Sequence, residues 1–145
     1  MVLLAMNFEV LDISGDAGIR SFGKSWAEAF SNAGIGMYSL ITSSEGVMEK
    51  EVRVVELEND TLDGLLVSFL NELVFHFDSY GFIGRSIEVT PLSLATPFRI
   101  WARLHGEEFD PSRHDRRLLI KAATYHRLLL EEHEGCWKAE VIFDI

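Results

Sequence analysis

Two stretches of the chain carry apolar residues at helical spacing. The first begins at Ser25, which forms a capping-box pattern with Glu28 three positions later. The second follows Asp60 and Thr61, which are typical N-cap residues, and Gly81 is placed to end it. The apolar positions are Trp26, Phe30, Ala33, Met37, Leu40 and Ile41 in the first stretch, and Leu62, Leu65, Leu66, Phe69, Leu70, Leu73, Val74 and Phe77 in the second. The pattern predicts two amphipathic helices.

The remaining apolar segments are short and rich in branched or aromatic residues, which is typical of β-strands. They cover residues 8–11, 19–22, 50–57, 83–89, 98–104, 118–126, 127–132 and 137–143. Segment 12–18 is rich in Gly, Ser and Asp and predicts a loop, and Gly106 predicts a break between strands. Because strands accumulate after the last helix, the order favours an α+β fold over a doubly wound sheet. We expect two helices packed on one large sheet, largely antiparallel or mixed.

Length and composition favour a single domain covering residues 1–145. A chain of 145 residues with 48% hydrophobic and 25% charged residues can bury one sizeable core. Residues 1–6 are apolar, but they lack a positively charged start and are followed by Asn7 and Glu9. We therefore interpret them as part of the first strand and not as a signal sequence or membrane span.

Charge and cysteine content narrow the classes of partner. A net charge of −10 disfavours strong direct binding of nucleic acid, because phosphate contacts depend on clustered Lys and Arg. Cys136 is the only cysteine, so the chain cannot form an internal disulfide or a thiolate zinc site. This composition fits a reducing cytoplasm. Cys136 lies beside Trp137 at a predicted strand start, and we expect a buried, inert thiol.

The usual motifs of nucleotide-binding and zinc enzymes are absent from the sequence. It contains neither a Walker loop nor a dinucleotide glycine fingerprint. Its five histidines are scattered, and none has the paired helical spacing of a zinc hydrolase. No complete catalytic constellation is visible.

Acidic oxygens at two places could instead hold a hard cation. Asp16 has small neighbours that leave its carboxylate accessible, although an Asp bonded to its own turn is the favoured interpretation of this loop alone. Asp144 and the main-chain carboxylate of Ile145 follow the apolar strand 141–143 as two anionic donors. Together with Asp16 they would suit Ca²⁺ or Mg²⁺ better than a softer metal. The sequence alone does not show that Asp16 meets Asp144.

Five segments carry ordered motifs of a known family. They are residues 11–23, 65–73, 106–111 together with His114, 120–126 and 141–145, of which 120–126 is the most specific. From about Phe8 to Ile145, the chain resembles the archeases. It departs from the opening motif at Ile13, where the family usually has histidine.

The resemblance implies a function in RNA ligation. Archeases are accessory proteins of the GTP-dependent RNA-splicing ligase that joins tRNA halves, and they promote guanylylation of the ligase's active-site histidine. The resemblance implies a metal site formed by the side chains of Asp16 and Asp144 with the terminal carboxylate of Ile145. We expect Ca²⁺, with Mg²⁺ or Mn²⁺ as alternatives. Lys121 lies in the most specific motif, where contact with a phosphate or partner and simple solubilisation are equally supported.

The leading hypothesis is a non-enzymatic, metal-binding activator of an RNA-splicing ligase. One alternative is a small metal-dependent hydrolase or nucleotide-handling enzyme that uses the same carboxylates to activate water, although no base is evident. Another is a general chaperone-like interaction module, which would need a large exposed apolar patch.

Overall fold

The computed structural model describes residues 7–145, and the prediction for residues 1–6 lies outside them. The elements in chain order are β1 (Phe8–Ile13), β2 (Asp16–Gly23), α1 (Trp26–Ile41), β3 (Glu51–Asn59), α2 (Leu62–Tyr80), β4 (Phe82–Pro91), β5 (Phe98–Glu108), β6 (Ala122–Ala123), β7 (Leu129–His133) and β8 (Cys136–Asp144). A single 3₁₀ turn, Ser44–Gly46, follows α1.

The strands form two antiparallel sheets. The first has the order β1-β2-β8-β6, with β7 also paired to β8, and the second has the order β3-β5-β4. The predicted α+β class with two helices is confirmed, but the prediction of one large sheet is wrong. Strands β3, β4 and β5 pair only with one another, whereas β2 pairs with β8 at the far end of the chain. Such long-range pairing leaves no local sequence signal.

Both helices contribute to one core. Helix α1 packs on β2 of the first sheet and on β4 of the second, and α2 contacts β3 and β6. Phe30 of α1 and Phe69 of α2 are fully buried, and their ring centroids lie 6.1 Å apart. The apolar stripes predicted for the two helices therefore meet inside the protein. No helix among residues 7–145 combines the length and apolarity that a membrane crossing requires.

The helix ends follow the local predictions. The Ser25 hydroxyl accepts a hydrogen bond from the Glu28 backbone N–H at 3.1 Å, which caps the start of α1. Thr61 caps α2 in the same way, through a 3.0 Å bond from the Gly64 N–H. Gly81 ends α2 with a φ of 68°, a left-handed conformation that glycine adopts without steric cost.

Two predicted boundaries differ from the structure at the ends of the first sheet. Strands β1 and β2 extend through most of the predicted loop 12–18 and leave only a two-residue turn, so Ile13 pairs directly with Asp16. Residues 118–126 were predicted as a strand, but only Ala122–Ala123 are one. The Leu118 N–H is engaged by the Leu40 carbonyl near the end of α1, at 3.0 Å, and is not available to a sheet.

Cys136 begins β8, as predicted, but its side chain is exposed and not buried. The hairpin register pairs it with His133, next to the turn that joins β7 to β8. Burial was inferred from the neighbouring Trp137, which alternates to the opposite face of the strand.

Gly106 lies inside β5 and does not break it. It pairs with Glu51 of β3 and with Gly84 of β4, next to an irregularity in the β4 register. A Cβ atom at this position would collide with the backbone carbonyl oxygen of Ile83. Glycine is therefore required here because two strands approach too closely for a side chain.

We predict that Gly106→Ala destabilises the fold, because the added methyl group can be accommodated only by moving the β4 backbone. The expected loss is about 1–3 kcal/mol in the free energy of unfolding, measured by urea denaturation. Gly46→Ala is the matched control, since its Cβ would lie 3.8 Å from the nearest atom, a ring carbon of His114. Equal losses in the two variants would contradict the steric explanation.

Candidate metal centre at the end of the first sheet

The strand register sets the two predicted aspartates opposite each other. Asp16 begins β2 and Asp144 ends β8. The last pair of this antiparallel ladder joins Ala17 to Phe143, so one further step along both strands sets Asp16 opposite Asp144. Residues directly opposite in an antiparallel pair have Cβ atoms about 4.5–5.5 Å apart and share a face. The structure thus brings these two carboxylates to one strand end.

The shared face points to solvent. Asp16 and Asp144 are both exposed, whereas their neighbours in each strand are buried in the core. Arg20 and Glu140 lie four residues further along the same strands, on the same face, and form an ion pair with an Nε–Oε2 distance of 2.7 Å. That observed contact shows that side chains of β2 and β8 do meet across this outer face.

Lys121 is brought to the same strand end by its backbone. Its N–H donates to the Asp144 carbonyl oxygen at 2.8 Å, and the next residue, Ala122, pairs with Asp144. The Lys121 side chain is exposed, and it forms no ion pair or hydrogen bond within residues 7–145. Ile145 follows Asp144 directly and is also exposed. All four predicted site residues therefore lie at the same end of the first sheet, where β2 begins and β8 ends.

The Asp16 carboxylate does not hold its own turn. It accepts no hydrogen bond from any group within residues 7–145, whereas Asp110 illustrates the turn-holding arrangement by accepting the Ser112 N–H at 2.9 Å. The lone pairs of Asp16 are therefore free to bind a ligand. The aliphatic Ile13 is its cross-strand partner in β1.

The donor set at this edge consists only of oxygen atoms. Residues 7–145 contain no group of three or more His, Cys, Asp or Glu side chains arranged to hold a metal ion. The candidate centre has two aspartate side chains, and the third donor in the prediction is the main-chain carboxylate of Ile145. Anionic oxygens of this kind fit a hard cation such as Ca²⁺ or Mg²⁺.

A second charged cluster, which the sequence analysis missed, lies at the end of the other sheet. Glu107 of β5 is buried, with 3% of its surface exposed. Its Oε2 accepts bonds from the Met48 N–H at 2.7 Å and from His114 Nε2 at 3.0 Å. Its Oε1 pairs with Arg113 and, at 3.6 Å, with Lys50. The carboxylate therefore joins β5 to residues 48–50, which precede β3, and to residues 113–114, which follow β5.

The hydrogen bonds of His114 fix its tautomer. Its Nδ1 accepts the backbone N–H of Asp110 at 2.8 Å, so the ring proton lies on Nε2 and points at Glu107. Burial opposes ionisation of Glu107, but the Met48 N–H and the side chains of Arg113 and His114 more than offset it. They lower the pKa of Glu107 to about 2. Glu107 is thus a structural anion.

A neighbouring carboxylate anchors the same irregular segment to α1. Asp115 accepts bonds from the Ser43 N–H at 2.8 Å and from the Thr42 hydroxyl at 2.7 Å, and it pairs with Arg117. These donors, the Ser43 N–H first, hold the pKa of Asp115 well below its usual range. The contacts of Asp115 therefore attach the segment that leads to Lys121 to the end of α1.

Hollows of different character lie beside the Glu107 cluster and on the first sheet. One of about 380 Å³ is lined largely by charged residues around Glu107, including Lys50 and Arg113. A smaller groove of about 160 Å³ runs along the outer face of the first sheet, and neither Asp16 nor Asp144 lines it. Its lining residues are Leu11, Asp12, Ile13, Arg20, Arg127, Glu140 and Ile142. Because Asp16 and Asp144 are exposed and line neither hollow, the candidate metal centre is at the protein surface.

The fold and the exposed carboxylates define a small α+β protein with two antiparallel sheets and a candidate hard-cation site at one sheet edge. Residues 8–145 match the Archease protein family (MTH1598/TM1083). The archease of Pyrococcus abyssi is 35% identical over 139 residues, covering 95% of this chain and 98% of its own. That of Pyrobaculum calidifontis is 36% identical over 141 residues, covering 96% and 95%. The chain belongs to the archease family.

Solved structures agree with this assignment. The solution structure of Methanobacterium thermoautotrophicum protein 1598 aligns with a TM-score of 0.83 at 30% identity, covering 96% of this chain and 99% of that one. The crystal structure of an archease, described as a possible chaperone, from Thermotoga maritima aligns with a TM-score of 0.58 at 17% identity, covering 93% and 94%. The second likeness shows the fold alone.

We predict that Glu107→Gln lowers the free energy of unfolding by about 1–3 kcal/mol at pH 7, because the amide leaves buried donors unsatisfied. The pKa of Glu107 is lowered from 4.5 to about 2, so its contribution is complete above pH 4.5 and is lost as the pH falls towards 2. Urea denaturation at several pH values should show the gap to wild type shrinking in that window. Glu108→Gln, at the exposed neighbouring position, is the control. A gap that stays constant down to pH 2 would contradict this role.

Proposed function

We propose that this protein is a non-enzymatic, metal-binding activator of an RNA-splicing ligase, which promotes guanylylation and turnover of that ligase in tRNA splicing or RNA repair. Membership of the archease family supports the class of function. The observation that carries the proposal is the register that sets Asp16 opposite Asp144, with Lys121 bonded to the Asp144 backbone. A cytoplasmic location remains a prediction.

The proposed cation site consists of the Asp16 and Asp144 side chains and the main-chain carboxylate of Ile145. Three anionic groups at one edge repel one another, so a cation that neutralises them stabilises the folded state. We expect Ca²⁺, with Mg²⁺ or Mn²⁺ as alternatives. Ca²⁺ takes about six to eight oxygen ligands, so three carboxylates leave positions open for water or for an oxygen of the partner. Such a site would offer the partner a bound positive charge on an otherwise acidic protein.

Lys121 is the proposed contact to the ligase beside this site. Its ammonium group is exposed and has no internal ion pair in the described part of the chain, unlike Lys50 and Lys138. A lysine is a mobile point charge that suits a phosphate oxygen or a carboxylate. Because the net charge is −10, the partner surface should be largely basic. Phosphate groups of the partner would fit only next to Lys121 and the cation, where positive charge is available.

One observation favours a second candidate function, a chaperone-like interaction module. Val52 and Val54 of β3 are about half exposed, and Leu94 in the β4–β5 connection is 86% exposed. The related Thermotoga maritima archease is described as a possible chaperone. A general chaperone would suppress aggregation of unrelated unfolded proteins, whereas the proposed activator would affect only its ligase. A hydrolase would convert a phosphate ester without any partner.

We predict that Ca²⁺ raises the melting temperature of the wild-type protein. At a calcium concentration about 100 times the dissociation constant, the stabilisation is about 2.7 kcal/mol, or about 5–10 °C for a domain of this size. Asp16→Asn, Asp144→Asn and a C-terminal extension beyond Ile145 should each abolish most of this shift. Calorimetry with and without Ca²⁺ measures it. Asp78→Asn, an exposed aspartate on α2 with no hydrogen bond within residues 7–145, is the control and should keep the full shift. An unchanged shift in Asp16→Asn would show that these ligands are wrong.

We predict that Lys121→Ala reduces activation of a cognate RNA ligase at least about tenfold while leaving the calcium-dependent melting shift intact. The measurement is the rate at which the ligase becomes guanylylated in the presence of GTP, with and without the protein. Lys24→Ala removes an exposed lysine at the other end of β2 and should activate normally. If Lys121→Ala activates as well as wild type, the proposed contact is wrong. Turnover of a phosphate ester by the wild-type protein alone would support the hydrolase instead.

A further inference from the structure

Strand β6 has only two residues, and a side chain supplies one of its two neighbours. Asn71 of α2 lies beside it and binds both backbone groups of Ala123. The Ala123 N–H donates to Asn71 Oδ1 at 2.8 Å, and Asn71 Nδ2 donates to the Ala123 carbonyl oxygen at 3.3 Å. A side-chain amide presents one acceptor and two donors, so it can bond a residue as a neighbouring strand would.

On its other side, the same short segment is bonded to the end of β8. Ala122 pairs with Asp144, and Ala123 pairs with Phe143. The Lys121 N–H donates to the Asp144 carbonyl oxygen at 2.8 Å. The segment that carries Lys121 is therefore held between the C-terminal strand and the side chain of Asn71.

Local sequence cannot hold this segment in place. Residues 110–121 before β6 and 124–128 after it contain no helix or longer strand. A two-residue strand forms too few ladder bonds to be stable alone, so its position depends on the bonds from outside. Helix α2 already buries apolar residues such as Leu70 and Leu73 in the core. Apolar packing is not directional, so it does not fix where β6 lies along α2. The hydrogen bonds of the Asn71 amide are directional and fix that position.

We propose that Asn71 is a positioning residue, which fixes Lys121 and the end of β8 relative to Asp16 through its paired bonds to Ala123. The functional part rests on the roles proposed above for Lys121 and the cation. The structural part stands independently, because the bonds to Ala123 can be tested without metal or ligase.

The first test measures the structural part by hydrogen exchange of backbone amides in Asn71→Ala. Protection should fall at Ala123, Lys121 and Thr124, while amides in the centre of β5 keep theirs, because only the clamp on β6 is lost. Asn71→Asp has the same volume and keeps the acceptor for the Ala123 N–H, so it should retain more protection at that amide. This variant also keeps the test available if Asn71→Ala does not fold. Unchanged protection at Lys121 in Asn71→Ala, or in Asn71→Asp if the alanine variant does not fold, would overturn the proposal.

The second test asks whether that position matters for the site. Asn71→Ala should weaken Ca²⁺ binding about tenfold, which is typical when a residue that positions metal ligands without binding the metal itself is removed. The control is Asn32→Ala, which removes another side-chain amide bond to the backbone, 2.7 Å to the Phe22 carbonyl, without touching β6. The control should lose stability and keep its calcium affinity. Equal weakening in the two variants would show a general loss of stability and overturn the proposal.

A double-mutant cycle with Lys121→Ala separates positioning from structure. If Asn71 acts by placing Lys121, then Asn71→Ala should reduce ligase guanylylation strongly in the wild-type background and little in Lys121→Ala. Additive effects would overturn this role. If wild-type protein neither binds Ca²⁺ nor activates a ligase, the proposed function fails, while the exchange data still decide whether Asn71 holds β6.

Discussion

The pairing of β2 with β8 is the interaction on which the structure depends most. It joins the N-terminal hairpin to the last strand of the chain across more than a hundred residues of sequence. Because side chains alternate along each strand, the register fixes at once which residues enter the core and which meet on the outer face. A shift of β2 by one residue would turn Asp16 into the core and expose Ala17, and a shift of β8 would do the same to Asp144 and Phe143. The cost of burying an unpaired carboxylate makes the observed register strongly preferred.

Three buried or hydrogen-bonded side chains, Glu107, Asp115 and Asn71, hold the segment that leads to Lys121 in place beside this end of β8. Glu107 and Asp115 attach the irregular segment after β5 to the second sheet and to the end of α1. Asn71 then holds the end of that segment against β8. This segment, which has little regular secondary structure, is therefore fixed by the hydrogen bonds of two carboxylates and one amide. Lys121 is an exposed residue on a restrained backbone, an arrangement suited to presenting a charge at low entropic cost.

What could be predicted from sequence was local. The caps at Ser25 and Thr61 involve residues three positions apart, so the helix starts were correct. The division into two sheets could not be predicted, because it depends on which distant strands pair. Gly106 was taken for a break because its need for close backbone contact is visible only when β4 lies beside it. Glu107 was missed as a buried anion, since the groups that compensate its charge come from two segments far apart in the sequence, residues 48–50 and 113–114.

The candidate site was predicted mainly by resemblance to a family, and the register gives that resemblance a physical reason. The most direct measurement is a crystal structure with Ca²⁺, or with Mn²⁺ located by its anomalous scattering. The account predicts one ion bound by the carboxylates of Asp16 and Asp144, with oxygen distances of about 2.3–2.6 Å for Ca²⁺. The account would be contradicted if, at a saturating metal concentration, the ion were bound elsewhere. It would also be contradicted if no ion were bound and the carboxylates of Asp16 and Asp144 pointed away from each other.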